Sequence, residues 1–171
     1  MTGPVLILIG PPGAGKSTVG ALVAGQLGVS FADTDADIEK TAGKPVSDIF
    51  IEDGEQAFRD LEREAVRQAL TSAEGVLAVG GGAVLDKETQ ESIKDRPVVY
   101  LETGFAEAAK RTGLSQARPL LIGTNPRATL KALLDARLPI YERLARMIVQ
   151  TDGRAPEEIA DEVVRRLKDQ P

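Results

Sequence analysis

The stretch Val5-Leu6-Ile7-Leu8-Ile9-Gly10-Pro11-Pro12-Gly13-Ala14-Gly15-Lys16-Ser17 decides the fold. Its first five residues are apolar without polar alternation, which predicts a strand that is buried on both faces. Residues 10–17 match the pattern G-x-x-x-x-G-K-[S/T], and the residues that follow have apolar side chains at helical spacing. This strand–loop–helix context predicts a phosphate-binding loop, because backbone N–H groups and a helix N-terminus then face the anion. A strand–turn–helix corner that merely contains glycines is the alternative interpretation.

Short apolar runs alternate with amphipathic stretches along the rest of the chain. We predict strands at residues 5–9, 30–34, 76–79, 98–101 and 147–151. We predict helices at residues 16–27, 35–41, 46–51, 56–70, 86–93, 105–111, 125–144 and 156–167, with a kink or break at Pro139. This alternation indicates a single α/β domain, in which helices flank both faces of a parallel sheet. Ligands of such sheets bind at the carboxyl ends of the strands.

The composition narrows the chemistry. The chain has no Cys and no His, which excludes thiolate catalysis, disulfides and the commonest general base. Phosphoryl transfer suits the remaining carboxylates, Lys, Arg and hydroxyls together with Mg²⁺, because it depends on positioning and charge stabilisation. The net charge of −5 predicts no binding of nucleic acid or of a membrane surface. The first apolar run is too short to span a bilayer and resembles no secretory signal, so we predict a cytoplasmic protein.

Polar and glycine residues follow the predicted strands. Asp33 and Asp35 end the second strand with both carboxylates on the same side, where one can hold a water on Mg²⁺ and the other a substrate hydroxyl. A helix N-cap is the alternative, with Asp37 on the solvated helix surface. Three consecutive glycines at positions 80–82 follow the third strand and permit close backbone approach to a ligand. An ordinary tight turn would also explain them.

Three arginines are candidates for holding an anionic substrate in a chain without His. Arg59 has Glu62 three residues later on the same helical face, where it can orient the guanidinium. Arg118 lies in the loop of residues 113–125, which is typical of a closing lid that brings positive charge to a transferring phosphate. Arg137 lies on the long helix. Each of them alone would be more typical of a solvated surface residue.

Together these residues resemble the shikimate kinases, which are P-loop kinases related to the nucleoside monophosphate kinases. The resemblance covers nearly the whole chain. Its motifs are Gly15-Lys16-Ser17, Asp33-Thr34-Asp35, Ile49-Phe50, Gly54-Glu55, Phe58-Arg59 with Glu62, Gly80-Gly81-Gly82, Arg118-Pro119-Leu120-Leu121, and Arg137 with Pro139 and Tyr141. It implies a three-layer α/β P-loop fold with a five-stranded parallel sheet, a substrate-binding segment at about residues 34–62 and a mobile lid at about 112–125. It also implies a monomer that uses ATP and Mg²⁺ to phosphorylate the 3-hydroxyl of shikimate, a step of aromatic amino-acid biosynthesis.

The resemblance assigns a role to individual residues. The catalytic residues it implies are Lys16, Asp35 and Arg118. The nucleotide contacts are Gly13, Ala14, Gly15, Lys16, Ser17, Thr18, Arg118 and Arg154, with Arg111 as a further adenine contact. The shikimate contacts are Asp35, Arg59, Gly80, Gly81, Gly82 and Arg137, with Phe50 and Phe58 lining the ring pocket and Glu62 bracing the basic groups. The Mg²⁺ ligands are Ser17, directly, and Asp33 through water.

Other functions remain open at this point. A gluconate kinase or a nucleoside monophosphate kinase would share the architecture. A monophosphate acceptor would call for several arginines aimed at a phosphate, whereas two arginines, a carboxylate and glycines suit a hydroxylated carboxylic acid. A nucleotide-switched binding protein is disfavoured, because the chain lacks the Asn-Lys-x-Asp guanine-reading motif. A non-catalytic homologue is disfavoured by the joint presence of Lys16, Asp35, Arg59 and Arg137.

Overall fold

The first strand, β1 (Leu6–Ile9), has four fully buried side chains, as its continuous apolar sequence predicts. A computed structural model describes residues 3–112 and 126–169 of the chain, without the side chains of residues 112, 126 and 127. β1 is the middle strand of a five-stranded sheet with the order β2-β3-β1-β4-β5. All four strand pairs are parallel. The carboxyl ends of all five strands therefore meet at one edge of the sheet.

The other elements follow the predicted alternation. The remaining strands are β2 (Phe31–Asp33), β3 (Val76–Ala78), β4 (Val98–Glu102) and β5 (Met147–Gln150). The helices are α1 (Lys16–Leu27), α2 (Thr34–Ala42), α3 (Val46–Asp53), α4 (Glu55–Ser72), α5 (Lys87–Ile93), α6 (Phe105–Thr112), α7 (Pro126–Leu144) and α8 (Pro156–Lys168). A short 3₁₀ turn at Ala83–Leu85 was not predicted. Among the described helices, none is both long and apolar enough to cross a membrane.

Helices cover both faces of the sheet, as predicted. Leu6 and Leu8 of β1 pack into one apolar cluster with α1 and α8. Ile7 and Ile9 point the other way and pack into a second cluster with α4, α5 and α7. The period-2 alternation of a strand sends neighbouring side chains to opposite faces, so both faces of β1 must be apolar. The prediction of a three-layer α/β fold is therefore confirmed.

Two sequence predictions about local structure are wrong in detail. The second strand ends at Asp33, and Asp35 lies in the first turn of α2, within the helix predicted at residues 35–41, so the period-2 geometry of a strand does not set the direction of its carboxylate. The helix does not break at Pro139, since α7 is helical on both sides of it, and the predicted kink stays a prediction. Pro139 removes one backbone N–H, but it lies on the exposed side of α7, where water can bond the carbonyl that loses its partner.

The segment predicted to bind substrate has a small apolar core of its own. Helices α2, α3 and α4 bury Ile38, Ile49, Phe50 and Phe58 together. The rings of Phe50 and Phe58 lie 4.6 Å apart between centroids, at a tilt of 33°. This cluster joins α2 to α4 beside the sheet. The predicted lid, apart from the end of α6, lies outside the described residues.

The outer strand β5 has its free edge covered by arginines. The carbonyl oxygens of Ile148 and Gln150 accept hydrogen bonds of 2.8 Å from Arg166 and Arg154 respectively. Glu162 of α8 forms salt bridges with both arginines, at 2.8 Å to Arg154 and 3.1 Å to Arg166. Edge strands present unpaired backbone groups that invite association, and this network occupies two of them.

We expect this network to stabilise the fold in a pH-dependent way. Burial alone would raise the pKa of Glu162, but hydrogen bonds from Arg154 and Arg166 outweigh it and lower the pKa. The stabilisation is therefore present above the ordinary glutamate pKa and is lost as the pH falls through the lowered folded-state value. Glu162→Gln should lower the melting temperature by about 1–3 °C at pH 7. The gap should close below about pH 4.

Thermal unfolding followed by circular dichroism between pH 3 and pH 8 measures this effect. Glu74→Gln, at an exposed carboxylate, is the control and should leave the melting temperature unchanged. A difference between Glu162→Gln and the wild type that stays constant across this pH range would contradict the role of the Glu162 charge.

Candidate active site

The loop between β1 and α1 has the backbone conformation of an anion cradle. Gly13 and Gly15 adopt φ angles of 83° and 88°, which only glycine adopts at low cost. Gly15 is the N-cap of α1 and no side chain caps the helix among the described residues, so the first N–H groups are available to a ligand. Lys16 Nζ donates hydrogen bonds to the carbonyl oxygens of Gly10 at 2.8 Å and Pro11 at 3.1 Å. The ammonium group therefore lies beside the loop, close to the positive end of α1.

A hydroxyl and a carboxylate meet next to this loop. Ser17 Oγ donates a hydrogen bond to Asp33 Oδ2. The other oxygen of Asp33 accepts a 2.9 Å hydrogen bond from the backbone N–H of Asp35, which caps α2. Asp33 therefore caps α2 and also faces Ser17, and its role in holding a water on Mg²⁺ stays a prediction. The pKa of Asp37 is raised, first by partial burial of its carboxyl group and second by the charge of Asp33. The residue as a whole lies on the surface of α2, as predicted.

The three glycines after β3, which we call the glycine turn (residues 80–82), touch the side chains of both halves of the site. A Cβ atom placed on Gly80 would lie 2.8 Å from Asp35 Oδ1 and 2.9 Å from Glu62 Oε2. One on Gly82 would lie 2.6 Å from Arg59 Nη1, and one on Gly81 would lie 2.9 Å from the ring of Pro12. None of these glycines has a positive φ angle, so space rather than backbone conformation requires them. The alternative of an ordinary tight turn does not account for these three approaches.

Arg59 is held in place from three sides. Its Nη1 donates a 2.7 Å hydrogen bond to Glu62, which is only 4% exposed, and its Nε lies 3.5 Å from Glu55. The guanidinium also lies 5.3 Å from the centre of the Phe58 ring. Two carboxylates and an aromatic face fix the orientation of this guanidinium against Gly82.

Arg137, the other arginine predicted to bind the acceptor, lies on α7. It is only 4% exposed, and its Nε has no hydrogen-bond partner among the described residues. A buried guanidinium N–H without an acceptor is costly, and a carboxylate ligand would satisfy it. Tyr141, one turn later on α7, donates a 2.6 Å hydrogen bond to the carbonyl oxygen of Gly81. The long helix is therefore fastened directly to the glycine turn.

Arg111 and Arg154, which were both predicted to contact the nucleotide, have different neighbours in the structure. Arg111 donates to the carbonyl oxygens of Gly13 at 3.2 Å and Thr151 at 3.0 Å, so it touches the phosphate loop. Arg154 instead donates to β5 and pairs with Glu162. Arg118 lies outside the described residues. Of these two arginines, Arg111 contacts the phosphate loop and Arg154 does so nowhere within the described residues.

The phosphate loop and Asp35 share one cavity, whereas Arg59, Glu62 and Gly82 line a separate cavity of about 250 Å³. The shared cavity has a volume of about 300 Å³ and opens along the carboxyl edge of the sheet. Its lining includes the phosphate-loop residues 12, 13 and 15–18 together with Asp33, Asp35, Val79 and Gly80. A phosphate bound to the loop and a molecule bound beside Asp35 would therefore meet in the same space. This arrangement suits the transfer of a phosphoryl group between two bound molecules.

Comparisons with known proteins identify the family of this chain. The sequence model of the shikimate kinase family matches residues 12–168 of the chain. A shikimate kinase of Thermobifida fusca is 58% identical over 164 residues, which cover 96% of this chain and 95% of that protein. One of Saccharopolyspora erythraea is 54% identical, with 96% of this chain and 94% of that protein covered. A solved structure of a shikimate kinase from Acinetobacter baumannii in complex with shikimate has a TM-score of 0.92 and 35% identity. That match covers 99% of this chain and 94% of the other. The chain belongs to the shikimate kinase family.

Proposed function

We propose that this chain transfers the γ-phosphoryl group of ATP to the 3-hydroxyl of shikimate, giving shikimate 3-phosphate and ADP. Membership of the family makes it a kinase of the shikimate pathway, which leads to the aromatic amino acids. The observation that carries the reaction is the shared cavity, in which the phosphate loop and Asp35 face the same space. The finer assignment of roles to residues is our proposal and rests on the contacts described above.

The donor half of the site suits a nucleoside triphosphate with Mg²⁺. Residues 13–18 supply backbone N–H groups at the positive end of α1, and Lys16 supplies a charge for the β- and γ-phosphates. The Ser17 hydroxyl and the Asp33 carboxylate lie in contact, and hard oxygen donors of this kind suit Mg²⁺. When bound, Mg²⁺ neutralises charge on the phosphate oxygens. Arg118 is proposed to add positive charge from the lid, and Arg111, which contacts the phosphate loop, to contact the nucleotide base. Arg154 could contact the base only by giving up its contacts with Gln150 and Glu162.

The acceptor half suits a hydroxylated carboxylic acid. Arg59 and Arg137 are the two guanidinium groups proposed to bind the substrate carboxylate, because planar guanidinium groups pair bidentately with carboxylates. The buried Nε of Arg137 has no acceptor within the described part of the chain, which supports this role. The glycine turn would offer backbone groups to the substrate. Phe50 and Phe58 are proposed to contribute apolar surface beside the ring.

Asp35 is proposed to orient the attacking hydroxyl. It lies between the phosphate loop and the glycine turn and lines the shared cavity. A loose transition state requires little deprotonation of the attacking oxygen early in the reaction, so a carboxylate can accept the proton late. This chemistry explains how a chain without His can catalyse the transfer. Lys16 and Arg118 would stabilise the charge that spreads over the transferred group.

The wider organisation is part of the proposal. We propose a single domain over residues 1–171, with a substrate-binding segment at about 34–62 and a lid at about 112–125 that closes over both ligands. The packing of α2, α3 and α4 around their own apolar cluster supports the boundaries of the substrate-binding segment. We also propose that the enzyme acts as a monomer in the cytoplasm.

Arg59→Ala should separate acceptor binding from nucleotide binding. Loss of a bidentate charged contact is worth about 2–4 kcal/mol, so the KM for shikimate should rise by about thirtyfold or more. The KM for ATP should change less than about twofold, because Arg59 contacts none of the phosphate loop. Steady-state kinetics with each substrate varied in turn measures both values.

Two further variants complete this experiment, one as a control and one as a test of the phosphate loop. Arg67→Ala removes an exposed arginine of the same helix that pairs with Glu64 and Glu88, and it should leave both KM values unchanged. Lys16→Met should abolish turnover while the protein stays folded. An unchanged KM for shikimate in Arg59→Ala would refute the proposed role of Arg59. Wild-type turnover in Lys16→Met would refute the proposed use of the phosphate loop.

Gly82→Ala should damage the acceptor site through Arg59 alone. The new methyl group would occupy the space of the Arg59 guanidinium, whose flexible side chain would shift. The loss of an aligned charged hydrogen bond predicts a KM for shikimate that rises about tenfold, with little change in the melting temperature. Gly25→Ala is the control, because Gly25 is exposed on α1 and has open space around its Cβ position. Equal KM values for Gly82→Ala and Gly25→Ala would contradict the steric argument.

A further inference from the structure

Two buried hydroxyl groups form hydrogen bonds with the backbone of the glycine turn. The backbone N–H of Gly80 donates a 3.2 Å hydrogen bond to Thr34 Oγ1. The carbonyl oxygen of Gly81 accepts the 2.6 Å hydrogen bond from Tyr141 Oη. Thr34 is 0% exposed and Tyr141 is 1% exposed, so water does not compete for either bond. A turn of three glycines has no side chains of its own to fix it, and these two bonds supply that constraint.

Each hydroxyl lies next to a residue with a proposed role in binding the acceptor. Thr34 immediately precedes Asp35 at the start of α2. Tyr141 follows Arg137 by four residues on α7, which places the two side chains on the same face of that helix. The glycine turn in turn touches Asp35 through Gly80 and Arg59 through Gly82. The glycine turn therefore contacts residues from three separate helices, α2, α4 and α7.

The contacts of Tyr141 separate its ring from its hydroxyl. Its ring stacks on that of Tyr100 with centroids 5.0 Å apart and an interplanar angle of 23°. Within the described residues, the Tyr141 hydroxyl forms a hydrogen bond with the glycine turn and the Tyr100 hydroxyl does not. Removing each hydroxyl in turn leaves the stacked pair of rings in place. Tyr100→Phe is therefore a matched control for Tyr141→Phe, because the two variants differ in whether the hydrogen bond to Gly81 is lost.

We propose that Thr34 and Tyr141 are positioning residues for the phosphoryl acceptor. Thr34 sets Asp35 against the attacking hydroxyl, and Tyr141 sets Arg137 against the carboxylate. The two bonds lock the glycine turn between α2 and α7, so that both ends of the acceptor are held in one fixed geometry. This inference rests on the function proposed above.

The two residues should have different kinetic signatures. Thr34→Val is nearly isosteric and leaves the Gly80 N–H without its acceptor. It should lower kcat about tenfold, because misplacing Asp35 affects the reacting hydroxyl, with a change in KM below about twofold. Tyr141→Phe should raise the KM for shikimate about five- to tenfold, with a smaller change in kcat, because it affects carboxylate binding. The KM for ATP should stay at its wild-type value in both variants.

The experiment is steady-state kinetics on the full chain with matched controls. Thr34→Ser keeps the hydroxyl and should restore kcat, and Tyr100→Phe should keep the wild-type KM for shikimate. In an Arg137→Ala background, Tyr141→Phe should have almost no additional effect on KM, because it acts through Arg137. Melting temperatures of all variants are measured in parallel. If Thr34→Val does not fold, Thr34→Ala removes the same hydroxyl.

The outcomes distinguish this inference from the proposed function. Equal losses in Tyr141→Phe and Tyr100→Phe would overturn the role of the Tyr141 hydroxyl. A full effect of Tyr141→Phe in the Arg137→Ala background would overturn the route through Arg137. A drop in kcat that Thr34→Ser does not reverse would overturn the role of Thr34. A wild-type chain that does not phosphorylate shikimate would instead refute the proposed function, which is measured first.

Discussion

The site depends on the absence of side chains at three consecutive positions after the third strand. The Cβ positions of Gly80 and Gly82 are within 3 Å of Asp35, Glu62 and Arg59, so these side chains occupy the space that the glycines leave open. Gly81 packs against Pro12 of the phosphate loop in the same way. Any larger residue would displace part of the site. One turn thus aligns the donor and acceptor halves, which come from distant parts of the chain.

The second constraint is electrostatic. The chain carries a net charge of −5, yet its proposed substrates are anions. Groups within the site, rather than the net charge of the chain, would attract these anions. The phosphate loop uses backbone N–H groups at the start of α1 and one lysine, and these do not depend on net charge. On the proposed acceptor side, Glu62 and Glu55 hold Arg59 in a fixed orientation, while Arg137 is buried with its Nε lacking an acceptor within the described residues. Fixed guanidinium groups bind a carboxylate with little loss of side-chain entropy.

Local patterns predicted most of the fold and the parts of the site that lie close together in sequence. The buried β1, the phosphate loop and the i,i+3 spacing of Arg59 and Glu62 all follow from short-range rules. Local patterns did not predict the contacts between segments that are distant in sequence. The hydrogen bond from Tyr141 to Gly81 joins residues 60 positions apart, and nothing in either local sequence indicates it. Arg154 likewise pairs with Glu162 at the edge of the sheet, a contact that depends on how α8 packs against β5. Pro139 does not break α7, because an exposed proline can remain within a packed helix.

The most direct measurement of the central claim is the consumption of ATP by the purified protein with three acceptors in parallel. These are shikimate, gluconate and a nucleoside monophosphate. A site with two guanidinium groups, a carboxylate and a glycine turn should favour shikimate by at least about a hundredfold in kcat/KM over either of the others. Equal or faster turnover with gluconate or with the nucleoside monophosphate would contradict an acceptor site built for a hydroxylated ring carboxylate.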